Sequence, residues 1–109
     1  MSEQSFEVVW ARNAAKDLQE IVGYIAENSP ANARKVLERI KAKASALSRF
    51  PQRGRVVPQL ASFGIHTYRE LVIRPYLLVY RIYGGKVIVL AVLDSRRDLE
   101  DVLLERLVR

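Results

Sequence analysis

Hydrophobic and polar positions follow a pattern typical of three consecutive β-strands over residues 66–93. The first run, residues 66–73, sends successive side chains to opposite faces, and the second, residues 77–83, is dense in β-branched and aromatic residues. A proline separates these runs, and Gly84-Gly85 predicts a two-residue hairpin with positive φ at both glycines. The third run, residues 86–93, is almost continuously apolar, which predicts that both of its faces are covered. Together the three runs predict an antiparallel meander.

The N-terminal half has the periodicity of a short strand followed by two helices. Residues 5–10 alternate, with Trp10 as a core anchor, and residues 13–28 carry an apolar face at helical spacing. Ser29 is a natural N-cap for a second helix over residues 30–49, and the proline that follows it suits the first helical position. A connection this short predicts an antiparallel helical hairpin.

A loop follows the second helix over residues 50–58, where two prolines and Gly54 restrict the backbone. We therefore expect Arg53 and Arg55 to be presented on a stiff element. Three apolar side chains are expected to anchor this region and the less regular residues after it: Phe50, Leu60 and Phe63.

A short amphipathic helix is predicted at the end of the chain, over residues 98–108. Ser95 and Asp98 stand three residues apart before it, as in a capping box with Asp in place of Glu. The sequence leaves open whether this helix packs on its own chain or on a partner.

The resulting order, β-α-α-β-β-β-α, predicts an α+β fold in which the helical hairpin packs on an antiparallel β-sheet. A length of 109 residues predicts one domain over residues 1–109. The chain has no cysteine and one histidine, so we expect no disulfide, no metal site and no cofactor. No apolar run is long enough to span a membrane and no signal-peptide pattern is visible, so we expect a cytoplasmic protein.

Positive charge is concentrated in the C-terminal half. The formal net charge is +6, and residues 49–97 contain nine Lys or Arg against two acids. A clustered positive surface favours an anionic partner, either nucleic acid or an acidic protein segment. The alternative is that these cations serve only solubility.

Arginines on the predicted strands are the strongest candidates for a functional site. Paired carboxylates and a glycine-rich phosphate loop are not visible, and the single His66 is more often structural than catalytic at such a position. Arginine binds phosphate or carboxylate in a bidentate manner, and tyrosines lie between the arginines here. Tyrosine is also an ordinary strand residue. The candidate set for binding an anionic target is Arg53, Arg55, Arg69, Arg74, Arg81 and Arg97.

Several motifs resemble the RelE/ParE superfamily of bacterial type II toxin–antitoxin toxins, and the similarity covers nearly the whole chain. They are Ala14-Ala15-Lys16-Asp17-Leu18 with Ile21 and Tyr24-Ile25, Phe50-Pro51, Gly54-Arg55, Tyr68-Arg69-Glu70-Leu71, Pro75-Tyr76-Leu77-Leu78-Val79-Tyr80-Arg81, and Val92-Leu93 with Arg96-Arg97-Asp98. The resemblance implies a RelE/ParE-like fold and a growth-inhibiting toxin. It also implies a cognate antitoxin that wraps the toxin with an extended or helical segment in a hetero-oligomer, so the same six arginines are candidates for antitoxin binding as well as for target binding.

The resemblance implies one of two mechanisms. RelE-like members cut mRNA in the ribosomal A site without a metal, and the positions matching their basic catalytic set are Arg69 and Arg97. ParE-like members instead inhibit DNA gyrase, which requires binding but no catalytic set. The target is therefore either the ribosome with its mRNA or gyrase, and whether the chain is an enzyme depends on which.

Three departures favour the gyrase inhibitor. Leu77 stands where RelE-like toxins carry an arginine, apolar positions around Leu103 stand where they carry a catalytic tyrosine, and Asp94 stands where many members carry a histidine. We therefore prefer ParE-like inhibition of gyrase, with a RelE-like mRNA interferase as the alternative. A third possibility is a toxin-derived module that has lost its activity and acts mainly through antitoxin binding.

Overall fold

A computed structural model describes residues 5–108 and contains a five-stranded sheet with helices on both faces. The elements in chain order are β1 (Glu7–Trp10), α1 (Arg12–Ala26), α2 (Pro30–Ala46), β2 (Arg55–Val56), α3 (Pro58–Ala61), β3 (Tyr68–Ile73), β4 (Tyr76–Tyr83), β5 (Lys86–Asp94), α4 (Leu99–Leu103) and a π-helical turn (Leu104–Val108). The α+β architecture is thus the one that the sequence predicts.

Strand pairing confirms the meander and adds one parallel edge. The order across the sheet is β1-β5-β4-β3-β2. The pairs β2–β3, β3–β4 and β4–β5 are antiparallel, whereas β1 lies beside β5 and runs parallel to it. The sheet is therefore mixed, because the first strand joins the last one after the helical hairpin has crossed the sheet.

The helical hairpin begins and ends close to where the sequence predicts. The Ser29 hydroxyl accepts a hydrogen bond from the Asn32 N–H at 3.2 Å, and Pro30 occupies the first turn of α2. No side-chain cap starts α1, whose N-cap is Ala11. Apolar side chains of α1 and α2, among them Leu18 and Ile40, are buried against one side of the sheet, which we call the first face.

A second core lies on the opposite side of the sheet, the second face. Here α3 and α4 cover the ends of β4 and β5, so β5 is buried on both sides as predicted. The C-terminal helix therefore packs on its own chain. The fully or nearly fully buried members of the second core are Val57, Leu60, Leu77, Val79, Ala91, Leu93, Leu99 and Leu103.

Four local predictions are wrong. Phe50 is 62% exposed and Phe63 is also exposed, so of the three expected anchors only Leu60 is buried. The capping box does not form: the Ser95 hydroxyl donates to the Pro75 carbonyl at 2.7 Å, and the Asp98 side chain makes no capping hydrogen bond. In the hairpin turn Gly84 alone has positive φ, at 61°, as in turns that need it only at their first central residue.

Candidate functional site

Arg69 lies on the first face and is fastened to the loop before β2. It stands opposite Tyr80 in the β3–β4 register, and its Nη1 donates to the Gly54 carbonyl at 2.7 Å. Tyr80 is buried, donates its O–H to the Pro51 carbonyl at 2.6 Å and accepts the Gly54 N–H at 2.9 Å. Desolvation raises the pKa of the Tyr80 hydroxyl, although the Gly54 hydrogen bond and the Arg69 charge act against this. Arg69 and Tyr80 together hold the loop.

Glycine is required at position 54 by this close approach. A Cβ there would lie 2.5 Å from the Glu70 carbonyl oxygen and 2.8 Å from the Tyr80 hydroxyl oxygen. The loop is consequently pressed against the sheet, and Phe50 and Arg53 remain exposed on its outer side. They line a shallow surface depression together with the two residues between them.

Arg55 is the one candidate arginine that forms a salt bridge within residues 5–108. Its Nε lies 2.8 Å from Oε2 of Glu70, and the two side chains are 69% and 2% exposed respectively. Glu70 stands opposite Arg55 in the β2–β3 register. This ion pair compensates a carboxylate that would otherwise be buried without a counter-charge.

Arg74 and Arg97 lie at one end of the sheet and are both exposed. The two connections that carry them are joined there, because Ser95 binds the Pro75 carbonyl through its N–H at 2.8 Å as well as through its hydroxyl. In the connection that carries Arg97, the Nη2 atom of Arg96 lies 2.6 Å from the Oδ2 atom of Asp94. The hydrogen bonds from Arg96 lower the pKa of Asp94 from 3.8 to about 2.

Arg81 lies on the second face, near the opposite end of β4. Its guanidinium carbon is 5.3 Å from the centroid of the Tyr83 ring, a cation–π distance. Its Nε is buried and has no hydrogen-bond partner among the described residues. The six candidate arginines therefore occupy both faces and both ends of the sheet rather than one surface.

Arg69 and Arg97, the two catalytic candidates, are not brought together. Arg69 is in register with Tyr80, and Asp94, three residues before Arg97, is in register with Tyr76. Four residues of a strand correspond to about 13 Å. His66 is exposed, just before β3.

Asp17 and Arg106 form a polar cluster that the sequence did not reveal. Asp17 Oδ2 accepts the Val92 N–H at 3.0 Å and contacts Arg106 Nη2 at 3.0 Å, and Arg106 also donates to the Leu90 carbonyl at 3.2 Å. A register shift leaves Leu90 between the paired residues of β5. Asp17 lies outside the apolar face of α1, so the available signal in the sequence was its place in the motif at the start of α1.

An apolar groove runs along the helical hairpin on the outside of the molecule. It has a volume of about 590 Å³ and is lined by residues that include Trp10, Leu18, Val22, Leu37 and Lys41. Trp10 packs partly against the first core, as expected, and partly faces this groove.

Residues 5–108 contain neither a metal-binding cluster nor a membrane-spanning element. No group of three or more His, Cys, Asp or Glu side chains there could hold a metal ion. In the same part of the chain, no helix combines the length and the apolar character needed to cross a bilayer.

Comparison with known proteins identifies the class of protein that this fold and these residues define. Residues 8–99 match the family described as the ParE toxin of the type II toxin–antitoxin system parDE. The chain belongs to this family of toxins. A solved structure described as the chromosomal ParDE system from P. aeruginosa has the same fold, with a TM-score of 0.69 and 22% identity over 85% of this chain and 98% of that one.

Sequence relatives carry both of the names that the superfamily uses. Toxin RelE2 of Caulobacter vibrioides is 34% identical over 84% of this chain and 97% of its own length. Toxin ParE3 of the same organism is 31% identical over 84% of this chain and 89% of its own length. The chain is therefore a toxin of the type II toxin–antitoxin class, and its relatives include proteins named RelE and proteins named ParE.

Proposed function

We propose that this toxin stops growth by inhibiting DNA gyrase in the cytoplasm and that a cognate antitoxin neutralises it in a hetero-oligomer. Its action on gyrase is binding and involves no catalytic step by the toxin itself. The preference for gyrase over ribosome-bound mRNA rests on what fills the second face.

The second core carries this proposal, because it occupies the positions where an RNA-cleaving relative would hold catalytic groups. Leu77 is 5% exposed and Leu103 is fully buried, and both belong to that core. Apolar side chains there can neither bind a scissile phosphate nor transfer a proton.

The remaining nuclease candidates are poorly placed for catalysis. Arg69 uses Nη1 to hold a backbone carbonyl, and it lies far along the sheet from Arg97. Asp94 is paired with Arg96, which keeps the pKa of this carboxyl at about 2. A group with so low a pKa remains ionised near neutral pH and is a weak proton-transfer catalyst there.

A protein target suits the exposed residues of the loop. Phe50 and Arg53 combine an aromatic ring and a guanidinium on a segment fixed by Tyr80 and Arg69. Large aromatic residues and arginine are enriched at the energetic centres of protein interfaces, and a fixed loop loses little conformational entropy on binding.

Induced expression in a bacterial host tests this proposal. We expect growth arrest with an early DNA-damage response while bulk translation continues. Co-expression of the neighbouring reading frame should restore growth if it encodes the antitoxin. Early loss of translation with cut mRNA would instead indicate the interferase, and normal growth with retained antitoxin binding would indicate a module without activity.

Arg97→Ala provides a matched variant for the same experiment, because its side chain is exposed and its removal leaves no buried gap. An interferase that depends on Arg97 should lose its toxicity in this variant. A gyrase inhibitor that binds through several contacts should retain most of it.

A further inference from the structure

Arg81 stands out among the candidate arginines because it is partly buried and stacked on Tyr83 but forms no salt bridge within residues 5–108. Arg55 is paired with an acid, and Arg69 is used to hold a carbonyl. The Arg81 guanidinium instead lies over the Tyr83 ring, and its buried Nε has no partner in that part of the chain. Its charge is partly desolvated without compensation, which an anionic ligand would supply.

Arg81 has polar neighbours on one side and apolar neighbours on the other. On the β3 side it stands opposite Tyr68, and Glu70, which is paired with Arg55, lies two residues further along the same face. In the strand registers Arg81 stands beside Ile88, and Ile88 stands beside Val9, so the three side chains form one row across the second face. We call Arg81, Ile88 and Val9 the open row. Ile88 and Val9 are only partly buried and belong to neither core.

This combination favours a protein segment over nucleic acid. A nucleic-acid backbone requires cations at successive phosphates. The next cation in this direction, Lys86, stands opposite Glu7 in the β1–β5 register, and the neighbours of Arg81 within the row are aliphatic. One uncompensated guanidinium next to apolar side chains is complementary to one carboxylate flanked by apolar residues.

We propose that the open row, with Tyr83 beside it, is a docking site for an Asp or Glu side chain of the antitoxin, flanked by apolar residues of the same segment. This inference depends on the antitoxin binding in the proposed function. The Arg81 Nη1 and Nη2 groups donate to the carboxylate, which compensates the delocalised charge of the guanidinium while Nε stays buried. The Tyr83 ring stacks on the guanidinium and holds it in position, and Ile88 and Val9 pack against the flanking side chains.

The test measures the dissociation constant of the protein encoded by the reading frame adjacent to the toxin gene, with wild-type toxin and with Arg81→Gln. Charge-assisted hydrogen bonds typically contribute enough to weaken binding by about 10- to 100-fold when one partner is removed. Arg34→Gln removes the same charge from an exposed position on α2 and should change the constant by less than about twofold. Thermal unfolding of both variants verifies that they are folded.

A double-mutant cycle identifies the acid. Each Asp and Glu of that protein is replaced by Asn or Gln, and one replacement should weaken binding to wild-type toxin but have no further effect on Arg81→Gln. Equal affinity of wild type and Arg81→Gln would overturn the inference, as would an equally large loss in Arg34→Gln. Loss of binding to a 20-nucleotide single-stranded RNA with unchanged protein binding would also overturn it, in favour of nucleic acid.

These outcomes are separate from the gyrase question. The binding constants require no gyrase, so a toxin that fails to inhibit gyrase could still show the Arg81 effect. Conversely, gyrase inhibition by wild-type toxin together with an unchanged constant for Arg81→Gln would reject only the docking site.

Discussion

The second face of the sheet has two halves that differ in what covers them. The closed half contains Leu77, Leu93 and Leu103 beneath α3 and α4. The open half contains Arg81, Ile88 and Val9, which neither core includes. The same pleated scaffold thus carries a packed apolar interior at one end and a partly exposed cation with apolar neighbours at the other.

This difference is the basis of our proposal that the toxin acts by binding. A catalytic site requires polar groups held where a substrate can reach them, and the closed half has aliphatic side chains at the relevant positions. A docking site requires only a complementary surface that loses little entropy on binding, and this is the role that we propose for the open half. The first two predictions compare the two halves, and the next two concern the loop contacts of Tyr80 and the Asp94–Arg96 pair, in order of decreasing expected effect.

Introducing a charged side chain should give the largest difference in the free energy of unfolding between the two halves. Leu77→Arg places a guanidinium in the second core, so we expect the free energy of unfolding to fall by about 4 kcal/mol or more. Ile88→Arg is the matched change in the open half, where a long side chain can extend to water, and should cost about 1 kcal/mol or less. Urea denaturation of both variants measures this, and similar losses would mean that the halves are equally closed.

Shortening an apolar side chain should also destabilise the closed half more than the open half, with smaller losses in the free energy of unfolding. Leu103 is fully buried, so Leu103→Ala should lower the free energy of unfolding by about 2–5 kcal/mol. Val9→Ala removes fewer atoms from a partly exposed site and should cost about 1 kcal/mol. If Leu103→Ala proved nearly neutral in chemical denaturation, the C-terminal helix would not be packed as described.

Removing the hydrogen bonds by which Tyr80 holds the loop before β2 should lower the free energy of unfolding by an intermediate amount. Tyr80→Phe removes the donor to Pro51 and the acceptor for Gly54, which should cost about 1–3 kcal/mol. The raised pKa of Tyr80 also gives a pH dependence: its contribution is present below the ordinary tyrosine pKa of 10.0 and is lost as pH rises through the folded-state value. Wild type should therefore lose stability at alkaline pH more steeply than Tyr80→Phe.

The smallest effect concerns Asp94 and Arg96. Because Arg96 lowers the pKa of Asp94 to about 2, Arg96→Gln should return this pKa towards 3.8, as followed by NMR titration. A lowered carboxyl pKa contributes stability above the unfolded value, and that contribution is lost as pH falls towards 2. Asp94 is close to solvent, so the change in unfolding free energy should be small. An unchanged pKa in Arg96→Gln would show that this arginine is not its cause.

Hydrophobic periodicity predicted β1, β3, β4, β5, the helical hairpin and the C-terminal helix, because these elements bury apolar side chains at regular spacing. The Ser29 cap was predicted for the same kind of local reason. The strand β2 and the helix α3 were not predicted, since two and four residues are too few to show a period. The parallel pairing of β1 could not be predicted, since it depends on where the chain returns after two helices. Phe50 was assigned to the core from its type alone, but the loop is held by Tyr80, Arg69 and a close approach at Gly54.

The candidate site was predicted less completely than the fold. A local excess of positive charge suggested one shared surface, whereas Arg69 and Arg81 lie on opposite faces of the sheet. Only the three-dimensional structure distinguishes Arg69, which donates to the Gly54 carbonyl, from Arg81, whose buried Nε has no hydrogen-bond partner in residues 5–108. Such differences arise from contacts between residues distant in sequence, which a pattern along the chain does not encode.

A supercoiling assay with purified gyrase and this toxin tests the central proposal most directly. We expect supercoiling of relaxed plasmid to fail and cleaved gyrase–DNA complexes to accumulate, while mRNA in a translation extract stays intact. Normal supercoiling together with codon-positioned mRNA cuts, abolished when Arg69→Ala is combined with Arg97→Ala, would contradict it.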